Sequence, residues 1–153
     1  MRNKQKLLIE QVDEKLKSFE KAKAVPVPPK GWINAIRTTL NMTMEQLGKK
    51  LNITRQGAKR IEDSESKGSI SLNSLKEVAK ALDLKLVYGF VPNDGSIDNL
   101  ISVKAEKLAQ KIVLRTNQNM ALENQGIRND KIATTIKELA DEIKREMKKS
   151  LWD

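Results

Sequence analysis

The side chains that point to a chemistry lie close together in the first half of the chain, at Arg55, Gln56 and Lys59. An arginine guanidinium can bridge the O6 and N7 acceptors of guanine, and a glutamine amide can bridge N6 and N7 of adenine. All three side chains project from the N-terminal half of a predicted helix. These residue types in this position indicate a helix face that reads bases in the major groove of duplex DNA.

Four further residues beside this face have side chains that suit the DNA backbone. The predicted phosphate contacts are Lys49, Lys50, Thr54 and Arg60. The N-terminus of the helix that begins after Thr54 also favours nearby phosphate through the positive end of its dipole. Basic residues on an outer helix face are equally typical of an ordinary solvated surface, so a reading without DNA stays open.

The composition excludes most catalytic chemistry. The 153 residues contain no His and no Cys, so the chain cannot form a Ser-His-Asp triad, a Cys-His dyad or a thiolate zinc site. No paired-acid motif and no glycine-rich phosphate loop stands out. We therefore expect a protein that is not an enzyme and that needs no metal or cofactor.

The charge and hydropathy of the chain favour nucleic acid as the partner. Lys and Arg number 29 against 20 Asp and Glu, a formal net charge of +9, which attracts polyanions. Aromatic residues make up only 3% of the chain, too few for a platform that stacks single-stranded bases. No stretch approaches the roughly 20 apolar residues of a membrane span, and the first ten residues lack a signal-peptide core. We expect a cytoplasmic protein with no membrane partner.

The elements that must position the base-reading side chains follow from caps and turns. Thr43 and Thr54 have N-cap chemistry for two short helices, and Gln46 completes a capping box with Thr43. Gly48 provides the small residue that a steep helix crossing needs, and Asn52 tolerates the positive φ of a tight turn. The pattern predicts a helix-turn-helix whose second helix ends near residue 62.

The whole chain is predicted to be mainly α-helical. Its centre has the pattern of a repressor-like four-helix core with one short strand, between flanking N- and C-terminal helices. The predicted domains are an N-terminal helix and proline-rich connector over residues 1–28, a DNA-binding domain over residues 29–92 and a C-terminal helical extension over residues 93–153.

The spacing of apolar residues changes from a helical repeat to a repeat of two after the fourth helix, and this change predicts the strand. Leu84, Leu86, Tyr88 and Phe90 alternate with other residues over residues 84–91. A lone strand leaves an unpaired edge, so we expect a homodimer in which two copies pair across a twofold axis. Such pairing would set two recognition helices roughly 34 Å apart, one turn of DNA. Pairing with residues 25–27 is the rival, although prolines weaken that edge.

A helical interaction module that binds and inhibits a partner protein, without binding DNA, is the alternative function. In that case the basic face is solvated surface and the long amphipathic helices hold the partner. The N-terminal helix, predicted over residues 4–21 with Leu8, Val12 and Leu16 on one face, needs a surface to pack against. The salt dependence of DNA binding separates the two functions. Neutralisation of phosphates makes the affinity for DNA fall steeply with salt concentration, and a protein that does not bind DNA shows no such slope.

Residues 43–62 resemble the helix-turn-helix of the Cro and phage-repressor (XRE) superfamily. Separated blocks through nearly the whole chain resemble the family called mobile mystery protein A, which is similar to bacterial regulators encoded on mobile elements beside a Fic-domain protein. The resemblance implies a repressor and antitoxin role with a Fic-domain partner. Met44 departs from the superfamily pattern, because many members have a Gln there that touches phosphate. The blocks are residues 29–37, 60–65, 69–75, 81–83, 86–88, 91–92, 120–123 and 151–153.

Residues 119–124 resemble the inhibitory helix motif of Fic antitoxins. That motif has Ser or Thr, three residues, Glu, and then Gly or Asn, so Glu123 and Asn124 match while Asn119 departs from it. The resemblance implies that Glu123 pairs with an Arg of the Fic site and hinders placement of the ATP γ-phosphate; a carboxylate can compete with phosphate for such an Arg. A merely solvated Glu123 is the competing interpretation.

Overall fold

The computed structural model describes residues 2–122 and 129–153, which fold mainly into α-helices. The chain divides into two compact units. Unit 1 comprises Met1–Lys21 and Phe90–Asp153, and unit 2 comprises Ala22–Gly89. The helices are α1 (Arg2–Lys17), α2 (Trp32–Thr39), α3 (Met44–Lys50), α4 (Arg55–Lys67), α5 (Leu72–Ala81), α6 (Ile97–Leu122) and α7 (Asn129–Glu146), with short 3-10 turns at Glu20–Ala24 and Lys149–Trp152.

Unit 2 has the predicted four-helix core, built from α2 to α5. Each of these helices carries an apolar stripe at helical spacing, and the stripes meet in one cluster. Leu47 of α3 and Ala58 of α4 have no exposed surface, so these two helices meet at the centre of the cluster. The buried members are Ile33, Leu47, Ala58, Val78 and Leu82.

The helix α4 is longer than the sequence predicts, because nothing interrupts it before Gly68. The helix continues to Lys67, and Gly68 ends it in the left-handed conformation with φ of 78°. The Gly68 amide donates to the Glu65 carbonyl at 3.0 Å, as expected for a glycine C-cap. The additional turns carry the exposed side chains of Asp63 and Lys67.

The strand predicted over residues 84–91 is wrong. Those residues are irregular, and Val87, Tyr88 and Phe90 are 68%, 59% and 82% exposed. Alternating apolar residues indicate an extended segment, but a strand also needs a neighbour that bonds to its amides and carbonyls. The described residues contain no strand at all, so this segment has no such neighbour within that part of the chain.

Unit 1 is built on two antiparallel helices, α6 and α7. Their apolar faces pack together and form a second buried cluster. Ala105 and Ala109 of α6 are 1% and 0% exposed, and such small side chains let α7 approach closely. Leu151 in the C-terminal 3-10 turn covers the same cluster. The buried members are Ile101, Ala105, Ala109, Ile143 and Leu151.

The helix α1 packs on this cluster by a different face from the one predicted. Ile9 contacts the cluster, whereas Leu8 and Val12 are 44% and 43% exposed. The Asp13 carboxylate accepts hydrogen bonds from the amide of Ile97 at 2.6 Å and from the amide after it at 3.2 Å. These amides open α6 and have no partner within that helix. Asp13 therefore caps α6 from another helix.

Candidate nucleic-acid interface

The capping box predicted at the start of α3 is present. The Thr43 hydroxyl accepts a hydrogen bond from the Gln46 amide at 3.1 Å, and the Gln46 side chain accepts one from the Thr43 amide at 2.8 Å. Both bonds satisfy backbone amides that the helix itself cannot bond. The start of α3 is thus fixed by its own sequence.

The turn between α3 and α4 is as tight as the sequence predicts. Asn52 adopts the left-handed conformation with φ of 57°. The Ile53 amide donates to the Gly48 carbonyl at 2.9 Å. A Cβ atom on Gly48 would lie 2.9 Å from the Ile53 carbonyl oxygen and 3.0 Å from that of Thr54. Only glycine therefore leaves room for the chain to turn this closely over α3.

Thr54 caps α4 and still has a proton to donate. Its hydroxyl accepts a hydrogen bond from the Gly57 amide at 3.0 Å, which confirms the predicted N-cap. A hydroxyl is one donor as well as an acceptor, and the exposed Thr54 side chain retains the donor. The first amides of α4 also have no hydrogen-bond acceptor within the helix itself.

The seven side chains predicted to contact DNA are all exposed. Successive residues of a helix are about 100° apart, so the four on α4 occupy one side of that helix, while Ala58 and Ile61 face the core. Asp63 and Lys67 lie beyond the helix end that the sequence predicts, and they extend the same exposed side. The seven exposed residues are Lys49, Lys50, Thr54, Arg55, Gln56, Lys59 and Arg60.

The cations of this surface are not engaged by carboxylates of the chain. Within residues 3–118 and 130–153, ion pairs occur at Arg37, Lys144 and Lys148 only. The ammonium and guanidinium groups on α3 and α4 therefore keep their donors for an external anion. Lys49 and Lys50 also lie in the last turn of α3, where cations interact favourably with the helix dipole.

A buried carboxylate, Glu62, fixes α4 against α2. Its side chain accepts hydrogen bonds from Asn34 Nδ2 at 2.9 Å and from Arg37 Nη2 at 3.2 Å, and it also contacts Arg37 Nε. The Arg37 guanidinium donates in addition to the Met42 carbonyl at 2.8 Å. Glu62 is only 4% exposed, and a buried charge needs such partners. Sequence reasoning missed this pair, because positions 25 residues apart give no local spacing signal.

Glu65, one turn further along α4, caps the start of α2. Its carboxylate accepts hydrogen bonds from the Trp32 amide at 3.0 Å and from the Ile33 amide at 2.8 Å. Gly31 precedes them with φ of 90°, and a Cβ atom there would lie 2.6 Å from Glu65 Oε1. The approach of Glu65 to these amides therefore depends on glycine at position 31.

Two further sequence-based expectations concern Met44 and the pair Glu123 and Asn124. Met44, where the superfamily commonly has a phosphate-contacting Gln, is half-buried and packs against the unit 2 core. Its side chain thus contacts the protein core, where the Gln of the superfamily contacts a DNA phosphate. Glu123 and Asn124, the predicted inhibitory residues, lie outside the described residues.

The fold of unit 2 and the tight turn between α3 and α4 are those of a helix-turn-helix domain. Residues 33–88 match the helix-turn-helix family model, and the match identifies the domain as the XRE type. Neither the curated proteins nor the solved structures include a match to the chain. A DNA-binding regulator is the function that such a domain suggests, whereas the mobile mystery protein A resemblance and the Fic association stay predictions.

Two other features are absent from the described part of the chain. No helix there is long and apolar enough to cross a membrane. The same residues hold no cluster of three or more acidic side chains arranged to bind a metal ion.

We predict that Gly48→Ala destabilises unit 2 relative to Gly57→Ala. Both glycines lie in helices, where alanine is favoured by about 1 kcal/mol. A Cβ at Gly48 meets backbone at 2.9 Å, whereas one at Gly57 first meets the Ile53 side chain at 3.3 Å. Overpacking costs about 1–3 kcal/mol, so Gly48→Ala should have a free energy of unfolding lower than that of Gly57→Ala by about this amount.

Urea unfolding followed by Trp32 fluorescence measures this difference. A Trp152→Phe background leaves Trp32 as the only tryptophan, so the signal reports on unit 2. Equal stability of the two variants, or greater stability of Gly48→Ala, would contradict the close approach at the turn.

Proposed function

We propose that the protein is a transcriptional regulator that binds specific sequences of duplex DNA through α4. The observation that carries this proposal is the exposed group of Arg55, Gln56 and Lys59 on the second helix of a helix-turn-helix. The second helix of this motif enters the major groove with its N-terminal residues against the base edges. The three side chains lie in that half of α4.

The base-reading roles follow from the donors that each side chain offers. Arg55 can donate two parallel hydrogen bonds to guanine O6 and N7, and Gln56 can donate to and accept from adenine at N6 and N7. Lys59, one turn after Arg55, suits a guanine acceptor on a neighbouring base pair. None of the three is held by an ion pair in the described part of the chain, so the groups are free to bind.

The phosphate-contacting roles go to Lys49, Lys50, Thr54 and Arg60. The lysines and the arginine supply charge, and each phosphate that they neutralise releases counterions. Thr54 offers the hydroxyl proton that its N-cap bond leaves available. These groups fix the register of α4 on the duplex without distinguishing sequences.

The regulator is proposed to act as a homodimer. One short recognition helix contacts few base pairs, and a twofold dimer doubles the contacts on a palindromic site. The second copy would cover the exposed apolar side chains at the end of unit 2, where Leu84, Val87 and Tyr88 are 47%, 68% and 59% exposed. Such side chains in one short segment favour an interface over solvated surface.

The finer biological role is proposed as an antitoxin-like repressor of a Fic-domain protein encoded on a mobile element. The support is the resemblance of the separated sequence blocks to mobile mystery protein A, and of residues 119–124 to the inhibitory motif. In this role Glu123 pairs with an arginine of the Fic site, and Asn124 follows it in the motif.

We expect Arg55→Ala and Gln56→Ala to lose sequence selectivity. A duplex selected from a random pool with the parent chain is compared with a scrambled duplex of equal length. Each variant should bind the selected duplex more weakly by about 1–3 kcal/mol, because one bidentate base contact is lost. Binding to the scrambled duplex should change little.

Two lysine variants control for charge in this experiment. Lys49→Ala should weaken both duplexes alike, since a phosphate contact carries no sequence information. Lys80→Ala removes the same charge from an exposed site on α5 and should change neither strongly. If the parent selects no sequence and shows no salt dependence, the protein-interaction alternative replaces DNA binding.

The dimer is tested by sedimentation of Val87→Ser and Val27→Ser beside the parent. The two valines are 68% and 66% exposed, so the substitutions are closely matched in exposure. In a twofold interface each substitution counts twice, and Val87→Ser should raise the dimer dissociation constant by roughly 10- to 100-fold. A monomeric parent, with and without DNA, rejects the dimer; an equal effect of both variants moves the interface elsewhere.

The Fic-directed role is tested by an adenylylation assay of the neighbouring Fic-domain protein. The parent chain should inhibit the reaction, and Glu123→Gln should relieve inhibition because the carboxylate that pairs with arginine is gone. Glu106→Gln, at an exposed glutamate of α6, is the matched control and should inhibit like the parent. Equal inhibition by both variants removes Glu123 from the mechanism.

A further inference from the structure

A second group of unpaired cations lies in unit 1, on one side of α6. Lys104, Lys107, Lys111 and Arg115 follow one another at spacings of three, four and four residues, which places them on one side of the helix. All four side chains are exposed. We call these four residues the α6 basic stripe.

Among the described residues, no carboxylate pairs with the cations of the α6 basic stripe. No acidic residue lies three or four positions from any of its members in the sequence of the helix. Within the described residues no ion pair joins the four to a carboxylate of another element. The two acidic side chains of the described helix are elsewhere: Asp98 pairs with Lys144, and Glu106 occupies another side.

The stripe is costly to the helix that carries it. Each neighbouring pair within it is a like-charge pair at three or four residues, an arrangement that destabilises a helix. The cations of α7 differ, because Lys137 and Arg145 each have Asp141 four residues away. Binding of an external anion would relieve this repulsion. The spacing of the four cations therefore favours a binding surface over a merely solvated one.

We propose that the α6 basic stripe binds the phosphates of duplex DNA, in addition to the contacts of the helix-turn-helix. Eleven residues of helix separate its ends, a length of roughly 16 Å. Duplex DNA presents one charge per about 1.7 Å of axis, so a row of this length faces several phosphates. A linear array of anions matches a linear array of cations. The inference rests on the proposed function for its ligand, but it concerns a different surface.

The experiment compares two triple variants that change charge equally. Lys107→Gln/Lys111→Gln/Arg115→Gln removes three stripe cations, and Lys131→Gln/Lys137→Gln/Arg145→Gln removes two exposed lysines and one exposed arginine from α7. Binding of each to a duplex of arbitrary sequence, a few helical turns long, is measured by fluorescence anisotropy over a range of salt concentrations. Circular dichroism on heating reports whether each triple variant is folded.

The stripe variant should reduce the slope of log affinity against log salt by about 2 to 3, since each lost phosphate contact contributes about 0.9. The control should change the slope by less than about 1. The stripe variant should also be at least as heat-stable as the parent, because like-charge repulsion has been removed. If the two triple variants have equal slopes of log affinity against log salt, the effect is one of net charge alone and the proposal is overturned.

Two other results separate the possible causes of failure. If the stripe variant binds the duplex like the parent, the proposal is overturned and an acidic protein becomes the better ligand for the stripe. If the parent selects no sequence from a random pool but the stripe variant still loses slope, the helix-turn-helix function fails while the stripe proposal stands.

Discussion

The arrangement of α4 depends on one buried charge, the carboxylate of Glu62. Removing a partner from a buried ion pair typically costs about 3–5 kcal/mol, because the remaining charge stays buried without compensation. Glu62 is therefore satisfied only when Arg37 and Asn34 of α2 lie against α4, as they do here. This requirement fixes the rotation of α4 about its axis. Arg60, two residues before Glu62 and therefore about 200° from it around the helix axis, points outward as a consequence.

The same helix serves as scaffold and as surface because its two sides have different partners. Glu62 and Glu65 bond to α2, one through side chains and the other through backbone amides. The opposite side carries Arg60 and Lys67, which are exposed. Glycines make both contacts possible: Gly31 admits the Glu65 carboxylate, and Gly48 admits the backbone of the turn. A small core of four short helices thus holds the recognition side chains without burying any of them.

Local features of this fold were predictable from sequence, and pairings between distant residues were not. The Thr43 and Thr54 caps and the Asn52 turn involve residues within a few positions of one another, so residue type and spacing suffice. The strand over residues 84–91 failed because alternation says nothing about whether a neighbouring strand exists. The exposure of the candidate DNA contacts agrees with the sequence reading, but their roles depend on a ligand and remain predictions. Glu62 carried no local signal and was missed.

The pairing of basic side chains distinguishes those that build the fold from those available for binding. Arg37 and Lys144 pair with carboxylates and join separate helices within their own units. The cations of α4 and of the α6 basic stripe have no such partner among the described residues, although the chain contains 20 acidic residues. A net charge of +9 could be spread evenly over a surface. Most of it lies outside α4 and α6, but a row of cations without carboxylate partners still gives a local field that attracts a polyanion. The lack of carboxylate partners along these rows of cations, more than the number of lysines, therefore supports a nucleic-acid ligand.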